Sequence, residues 1–306
     1  MPGALTGKVV AVTGAAGFIG ARLVSRLAGE ACTVMPIARP DDVTERAIWD
    51  RIVDADVIIH LAAQTSVAVA NDDPGRDFQA NVMPMRHLIA ACRDRRRTPI
   101  VVFAGTVTQA GVPLRLPVNE DAPDDPLTTY DRHKLMAEQE LKAAASNGHV
   151  RGATLRLANV YGPGAHGRRA DRHILNRMID AAVNGRPLTV HGSGENVRDY
   201  VFVDDVVDAF MAAAAHGDRC NGGHFVIGSG RGTSIREAFE LIAERVARST
   251  GRRVPVTTIE PPGPASEIER RDFVADHDRF SRATGWQPKT SLSEGIDRTI
   301  EALQCA

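Results

Sequence analysis

Three glycines at a spacing of three constrain the fold most, because they stand between an apolar run and a helical pattern. The apolar run is Val9–Thr13, and Gly14, Gly17 and Gly20 follow it directly. In a strand–turn–helix unit the first glycine permits the tight turn, the second lets the backbone approach a pyrophosphate, and the third lets the helix pack on the strand. The helix start then faces the anion. The stretch predicts a dinucleotide site, and a glycine-rich turn without a ligand is the alternative.

Apolar runs alternate with helical patterns over the first half of the chain. This alternation is typical of a parallel sheet covered by helices on both faces. The predicted strands are Val9–Thr13, Thr33–Ile37, Val57–Leu61, Ile100–Ala104 and Thr154–Leu157, and the predicted helices are 17–29, 78–94 and 130–145. The fold class is therefore α/β, a doubly wound parallel Rossmann sheet with a smaller C-terminal substrate-binding domain.

The pattern becomes less regular after Asn159, which suggests a second unit. Two loops rich in Gly and Arg occur at 161–173 and 191–200, and Ser-x-x-Glu capping boxes occur at Ser234 and Ser291. We expect a dinucleotide-binding domain at 1–159 plus about 199–226. The substrate domain then comprises about 160–198 and 227–306.

Composition argues against several function classes. A net charge of −1 and an isoelectric point near 6.8 give no reason to expect a nucleic-acid or membrane surface. The chain has no 18-residue apolar stretch, and its start does not resemble a signal peptide. Its four cysteines lie far apart and its ten histidines lack metal-ligand spacing. We expect a cytoplasmic protein without a metal site.

A tyrosine and a lysine four residues apart are the best candidates for proton transfer. Tyr130 and Lys134 share one face at the start of a predicted helix. A free tyrosine has a pKa of about 10, and a nearby ammonium lowers this pKa towards the working range. A hydroxyl at the end of the preceding strand would complete the set. Thr106 is the first candidate and Thr108 competes with it.

In such folds the residues at the end of the second strand determine whether NAD or NADP binds. An acidic residue there would bind the ribose hydroxyl, but this chain has Ala38 followed by Arg39. A cation without a neighbouring repulsive charge favours NADP(H). The alternative is a solvated Arg39, with Asp41 or Asp42 contacting the ribose. The choice between NAD and NADP(H) stays open.

Six motifs, in this order, carry a family resemblance: TGAAGFIG (13–20), HLAAQ (60–64), Asn81, YDRHK (130–134), LRLANVYGPG (155–164) and VRDYVFVDDVVDA (197–209). With them the chain resembles the extended short-chain dehydrogenase/reductase family along nearly its whole length. Its likeness is to the NAD(P)-dependent nucleotide-sugar epimerase/dehydratase/reductase branch.

The resemblance implies a role for each matching residue. The catalytic set would be Thr106, Tyr130 and Lys134. The cofactor would contact Gly14, Gly17, Phe18, Ile19, Gly20, Arg39, Leu61, Ala62, Ala63, Asn81, Tyr130 and Lys134, with His60 beside them. The nucleotide-diphosphate sugar would contact Thr108, Asn159, Val190, Arg198 and Arg271. Charged arginines suit a diphosphate, although each could instead be a surface residue.

Departures from the family pattern narrow the reaction. Family dehydratases place an Asp-Glu pair after the catalytic threonine, but Val107 and Thr108 stand there, which argues against dehydration. Ala104-Gly105 replaces the usual Ser-Ser, and Ala110 replaces a tyrosine, so the pocket wall differs. The span from Arg39 to Asp56 is short, as in nucleotide-sugar 4-ketoreductases.

Three functions remain open at this point. The first is a nucleotide-sugar epimerase that transfers hydride at C4 of an NDP-hexose. The second is an NADPH-dependent 4-ketoreductase acting on an NDP-4-keto-6-deoxyhexose. A remote third is a non-catalytic NAD(P) sensor, a class that usually lacks the Tyr and Lys pair. The resemblance also implies a homodimer through helices near 80–94 and 130–145.

Overall fold

The computed structural model describes residues 4–164, 174–260, 263 and 271–305. Six parallel strands form a central sheet in the order β2-β1-β3-β4-β5-β9. These strands are β1 (Val9–Thr13), β2 (Thr33–Ile37), β3 (Val57–His60), β4 (Ile100–Thr106), β5 (Arg151–Leu157) and β9 (His224–Ile227). The strand order reverses at β1, so the carboxyl ends of β1 and β3 border the crevice where such sheets bind ligands.

Helices cover both faces of this sheet because its strands are apolar on both sides. Val10 and Val12 point into one core, and Ala11 points into the other. The helices in this part of the described chain are α1 (Phe18–Leu27), α2 (Arg46–Ile52), α3 (Val67–Asp72), α4 (Pro74–Asn81), α5 (Met83–Arg95), α6 (Thr129–Ser146), α8 (Val203–Ala215) and α9 (Gly217–Cys220). Helices α1 and α8 belong to the first core, whereas α2, α5 and α6 belong to the second.

A second group of elements surrounds its own apolar core. Strands β6 (Asn159–Tyr161), β8 (Val197–Phe202) and β10 (Gly232–Ser234) form one sheet, and β7 (Leu188–His191) pairs with β11 (Val256–Ile259). The core between them contains α7 (Ile174–Val183), α10 (Ile235–Thr250) and α12 (Leu292–Gln304). Helix α11 (Asp278–Thr284) packs instead against β9 of the central sheet.

The structure confirms the predicted α/β class with a parallel sheet. Residues 199–202 lie in β8, outside the central sheet. The domain boundaries themselves stay a prediction. The predicted loop at 161–173 falls outside the described residues from 165 onward. No helix in the described ranges is long and apolar enough to cross a membrane.

Two local expectations need correction. The helix predicted at 78–94 is two helices that meet at Val82, because Pro84 stands in the first turn of α5 and cannot supply a helical N–H. The capping box at Ser234 is complete, with both hydrogen bonds to Glu237. At Ser291 only half of the box forms, since the Glu294 carboxylate pairs with an arginine one turn further on. Between β2 and β3 the short span holds only the seven residues of α2.

Candidate active site

The turn after β1 leaves no room for a side chain. Gly14 has a φ of +69°, and a Cβ there would lie 2.8 Å from the backbone nitrogen of Ala62. The Gly17 amide donates a hydrogen bond to the Gly14 carbonyl at 2.8 Å. A Cβ on Gly20 would collide with that same carbonyl. The turn therefore lies against the loop after β3, and α1 packs on the turn, in the geometry that the glycine spacing predicts.

Helix α1 begins at this turn, and its N-cap residue, Gly17, has no side chain that could cap the helix. Phe18 and Ile19, the first two residues of the helix, are half-buried. One turn later Arg22 forms a two-pronged ion pair with Asp204, at 2.7 and 3.0 Å. This pair ties α1 to the start of α8 and fixes the direction of the helix. Such a helix start, cradled by glycines, fits the pyrophosphate of a dinucleotide.

The loop after β3 is held against the same turn by Thr13. The Thr13 hydroxyl lies 2.7 Å from Nδ1 of His60 and accepts a hydrogen bond from the Ala62 amide at 3.2 Å. Burial, together with the charge of Lys134, lowers the pKa of His60 to about 3, so its ring is neutral. Leu61, Ala62 and Ala63 follow His60 and are half-buried. The structure thus places these predicted cofactor contacts beside the glycine turn.

Asn81 supports this loop from α4. Its amide nitrogen donates to the backbone carbonyl of Gln64 at 3.0 Å and to the Asp77 carboxylate at 2.9 Å. Asp77 is fully buried, and it also accepts from the Gln64 amide at 2.8 Å and lies 2.7 Å from His133 Nδ1 on α6. The Asn81 side-chain oxygen is buried without a hydrogen-bond partner among the described residues. It is an acceptor beside the predicted cofactor loop, and a ligand donor could satisfy it.

The end of β4 brings the two competing threonines together. The hydroxyl oxygens of Thr106 and Thr108 lie 2.8 Å apart, and Thr108 donates a hydrogen bond to the Asp131 carboxylate. This bond joins the turn after β4 to the first turn of α6, next to Tyr130. Thr106 and Thr108 therefore form one chain of two hydroxyl groups. The sequence offers them as alternatives, whereas in the structure they contact each other and Thr108 alone bonds Asp131.

The side chain of Gln109 also holds the backbone of Thr106 in place. The Gln109 side chain accepts from the Thr106 amide at 3.1 Å and donates to Glu138 at 3.1 Å. Glu138 is fully buried and binds Arg156 through two hydrogen bonds of 3.0 and 2.6 Å. Burial acts to raise the pKa of Glu138, but hydrogen bonds and charge from Arg156 outweigh it and lower this pKa to about 2. The ionised pair anchors Gln109 and, through it, Thr106.

Tyr130 stands at the start of α6 and is half-buried. Burial and the carboxylates of Asp131 and Asp77 raise the pKa of its phenol above the ordinary value near 10. The sequence predicts that Lys134 lowers the pKa of Tyr130. In the structure, burial and the two carboxylates raise this pKa instead. They keep Tyr130 protonated at neutral pH, which makes it a hydrogen-bond donor.

Lys134 lies one turn further along α6 and is almost fully buried. Its ammonium lies 3.9 Å from the centre of the Phe103 ring, which in turn stacks on His60. Burial lowers the pKa of Lys134 to about 7, although Asp77 and Glu138 oppose the shift. The stack connects Lys134 to the ends of β3 and β4, close to the glycine turn. Thr106, Tyr130 and Lys134 therefore lie along one edge of the sheet.

Two arginines meet beside this edge. Arg198 on β8 donates to the backbone carbonyls of Val197 and Arg271. The side chain of Arg271 is buried, and its Nε has no hydrogen-bond partner among the described residues. Burial lowers the pKa of Arg271, and so does the nearby charge of Arg198, whereas Asp131 acts in the opposite direction. Two adjacent cations near Asp131 are suited to a dianion such as a diphosphate.

Two other predicted substrate contacts have different surroundings. The half-buried Asn159 side chain donates to the backbone carbonyl of Asp199 at 3.2 Å, which binds β6 to β8. Val190 is fully buried in the core around α7 and α10. Its side chain is not on a ligand-facing surface, so only its backbone can border a nucleotide base.

The residues after β2 have separate partners. Asp41 pairs with Arg51 at 2.7 Å, and the Asp42 carboxylate accepts from the Thr44 amide at 2.9 Å. Arg39 is exposed, and no carboxylate of the described chain forms an ion pair with it. Asp41 and Asp42, the acidic alternatives for a ribose contact, thus bond to neighbouring groups. Arg39 is the exposed charged residue at the end of β2.

The sequence interpretation missed the carboxylates that organise this site. Asp131 and Asp77 are buried, and both contact groups on other elements. One signal for Asp131 was present, since Thr128 and Asp131 have the spacing of a capping box, which the structure forms. Asp77 carries no such signal, because its partner His133 is 56 positions away.

Comparison with known proteins places the chain in a family. Residues 10–228 match the model described as the NAD dependent epimerase/dehydratase family. A UDP-glucose 4-epimerase from Mycolicibacterium smegmatis is 33% identical, over 95% of this chain and 96% of its own. A GDP-6-deoxy-D-mannose reductase from Pseudomonas aeruginosa is 28% identical, over 93% of both chains.

The fold agrees with that assignment. The crystal structure of UDP-glucose 4-epimerase from Thermotoga maritima with UDP-glucose has a TM-score of 0.84 to this chain. It is 27% identical, and the match covers 97% of this chain and 99% of that one. These findings confirm the resemblance drawn from the motifs: the chain is an enzyme that belongs to the NAD dependent epimerase/dehydratase family.

Proposed function

We propose that this enzyme is an NAD(P)-dependent nucleotide-sugar epimerase that transfers hydride at C4 of an NDP-hexose. One observation carries the proposal. The Thr108–Asp131 hydrogen bond joins the end of β4 to the start of α6, which supports Thr106, Tyr130 and Lys134 acting as one set. The glycines leave the space that a dinucleotide backbone needs, and the reacting groups lie at the adjoining sheet edge.

Each member of the set has a role that its surroundings support. Oxidation at C4 needs a base, so Tyr130 would take the hydroxyl proton once the positive charges of the dinucleotide and of Lys134 lower its pKa, and would return that proton to the ketone on reduction. Thr106 hydrogen-bonds the same oxygen. Lys134 is the nearby cation, and with a pKa of about 7 its charge responds to small changes in its surroundings. The bound dinucleotide supplies the hydride acceptor and donor. Asn81 holds the Gln64 backbone in place beside it.

The nucleotide half of the substrate has a matching surface. Arg198 and Arg271 would bind the diphosphate, and Asn159 lies on the neighbouring strand β6. Burying two adjacent cations is costly unless an anion joins them. A diphosphate would offset that cost and hold the sugar towards Thr106. Because two of the relatives are named for UDP-glucose, UDP is the first nucleotide to test.

A 4-ketoreductase is the second candidate, and two observations favour it. Reduction of a ketone needs a protonated acid, and the groups around Tyr130 keep it protonated. Arg39 is exposed at the end of β2, where a cation would bind the 2′-phosphate of NADP(H). One relative is named a GDP-6-deoxy-D-mannose reductase. The epimerase remains first because relatives at 33% and 31% identity are named UDP-glucose 4-epimerases.

Product analysis separates the candidates. The purified enzyme is incubated with UDP-glucose and either NAD or NADP, and the sugars are resolved by chromatography. Formation of UDP-galactose without net change in nicotinamide absorbance supports the epimerase. Oxidation of NADPH by an NDP-4-keto-6-deoxyhexose, with UDP-glucose unchanged, supports the reductase instead. A Tyr130→Phe variant that turns over as fast as the wild type would exclude Tyr130 as the proton-transfer residue.

We also propose a homodimer formed through α5 and α6. Arg86 on α5 and Glu140 on α6 form an ion pair at 2.8 Å, so the two helices present a joined outer surface. Light scattering at several protein concentrations tests this, since a dimer has twice the 32.9 kDa mass of the chain. A constant monomer mass would exclude it.

A further inference from the structure

Asp131 is a buried carboxylate with two distinct partners. One of its oxygens accepts the Thr108 hydroxyl, and the other accepts the Thr128 backbone amide at 3.3 Å. Its own amide donates to the Thr128 hydroxyl at 3.0 Å, which completes the N-terminal cap of α6. Asp131 is therefore part of the helix cap and part of the Thr106–Thr108 hydroxyl chain.

Counting protons fixes the direction of that chain. An ionised carboxylate only accepts hydrogen bonds, so the single Thr108 hydroxyl proton is donated to Asp131. The Thr108 oxygen, 2.8 Å from that of Thr106, must then accept the Thr106 proton. The Thr106 oxygen also accepts from the Thr108 amide at 3.3 Å. What Thr106 has left to offer a ligand is a lone pair.

We propose that Asp131 is a positioning residue that fixes the direction of the Thr106–Thr108 hydroxyl pair, so that Thr106 presents an acceptor to a substrate hydroxyl group. The identity of that hydroxyl, at C4 of a nucleotide sugar, rests on the proposed function. The direction of the hydroxyl pair does not, because it follows from Asp131 alone.

The surroundings of Tyr130 agree with this arrangement. Asp131 from α6 and Asp77 from α4 face Tyr130 and keep it protonated, while Arg271 faces Asp131 and Lys134 lies one turn away on α6. The site then offers one acceptor, Thr106, and one donor, Tyr130. A secondary alcohol matches both, because its proton reaches Thr106 and its oxygen accepts from Tyr130.

The first test needs no ligand. In protein labelled at threonine, the Thr108 hydroxyl proton should give a slowly exchanging, downfield proton resonance, because its hydrogen bond to a carboxylate is charge-assisted. Thr108→Val identifies the resonance by removing it, and Asp131→Asn should move it upfield. The control is Thr128→Ala, which removes the hydroxyl of the α6 cap and leaves the Thr108–Asp131 bond. Absence of the resonance, or its presence unchanged in Asp131→Asn, overturns the inference.

The second test uses UDP-glucose and its 4-deoxy-4-fluoro analogue, in which fluorine cannot donate a hydrogen bond. Binding is measured calorimetrically with reduced dinucleotide present, so that the hydroxyl is not oxidised. Wild type and Thr128→Ala should bind the fluoro analogue about five- to tenfold more weakly, the value of one net hydrogen bond. In Thr108→Val and Asp131→Asn this difference should fall to about twofold or less, because Thr106 can then rotate and donate.

Each outcome has one meaning. Equal binding of the two sugars by the wild type overturns the inference and leaves the proposed function standing. Discrimination that persists unchanged in Thr108→Val and Asp131→Asn also overturns it. If UDP-glucose does not bind but the downfield resonance behaves as described, the hydroxyl direction is supported and the UDP-sugar function fails.

Discussion

The close approach of Gly14 to the loop after β3 predicts a defined defect for Gly14→Ala. Its φ of +69° lies in the left-handed region, which costs an L-residue roughly 1–2 kcal/mol. The added Cβ would also lie 2.8 Å from the Ala62 nitrogen and 3.0 Å from its Cα. Because these are backbone atoms, the loop must move, and such overpacking costs about 1–3 kcal/mol more.

Gly7→Ala is a matched control for the energetic cost of the left-handed backbone conformation. Gly7 has nearly the same φ, +71°, but nothing lies within 4 Å of a Cβ placed there. It should therefore lose only the roughly 1–2 kcal/mol of the left-handed conformation. Gly14→Ala should melt about 2–8 °C below Gly7→Ala, since the difference comes from the contact with Ala62.

Cofactor binding gives the second readout. Moving the turn withdraws backbone donors from the phosphates, and a hydrogen bond to a charged group is worth about 1.5–3 kcal/mol. NAD or NADP, measured by calorimetry, should bind Gly14→Ala about tenfold to a hundredfold more weakly than wild type, and Gly7→Ala normally. Equal melting temperatures and equal dinucleotide affinities for the two variants would refute the reasoning.

Three further predictions concern buried charges. Lys134→Met should abolish turnover. Between pH 7 and 10.5 only the unfolded lysine is still protonated, so the free energy of unfolding of the wild type should rise, relative to that of Lys134→Met, by up to about 1.4 kcal/mol per pH unit. Glu138→Gln should destabilise the fold at neutral pH by up to about 3 kcal/mol, because the buried Arg156 then keeps only Asp124 as a carboxylate partner. That cost should shrink as pH falls from 4.5 towards 2, because the lowered pKa of Glu138 stabilises the fold only while the carboxylate is ionised; melting curves check it. Arg271→Met should weaken UDP-glucose binding in calorimetry about tenfold or more without lowering the melting temperature, because it removes a buried cation.

The sequence predicted five of the six strands of the central sheet because most of them are largely apolar, but it did not predict β9 and it placed the start of β5 three residues late. β1 and β2 have the predicted bounds. β4 continues two residues further, to Thr106, because its pairing with β5 continues through Gly105 and Thr106. The helix at 78–94 was predicted as one element because its apolar period is continuous, whereas Pro84 starts a new helix.

The motifs located the candidate site but not its internal contacts. Spacing could place Tyr130 and Lys134 on one helix face, yet it could not show that Asp131 bonds Thr108, 23 positions earlier. For the same reason it could not give the direction of the Tyr130 pKa shift, which depends on burial and on Asp77 from another helix. Such contacts depend on how α4, α6 and the end of β4 pack together.

Transfer of hydride at C4 is the central claim, and an isotope label tests it directly. UDP-glucose carrying deuterium at C4 is incubated with the enzyme, and the UDP-galactose formed is analysed by mass spectrometry and NMR. The account predicts that the deuterium stays at C4 of the product, and that Tyr130→Phe forms product far more slowly. Loss of the deuterium to water, or no conversion of UDP-glucose with either dinucleotide, would contradict it.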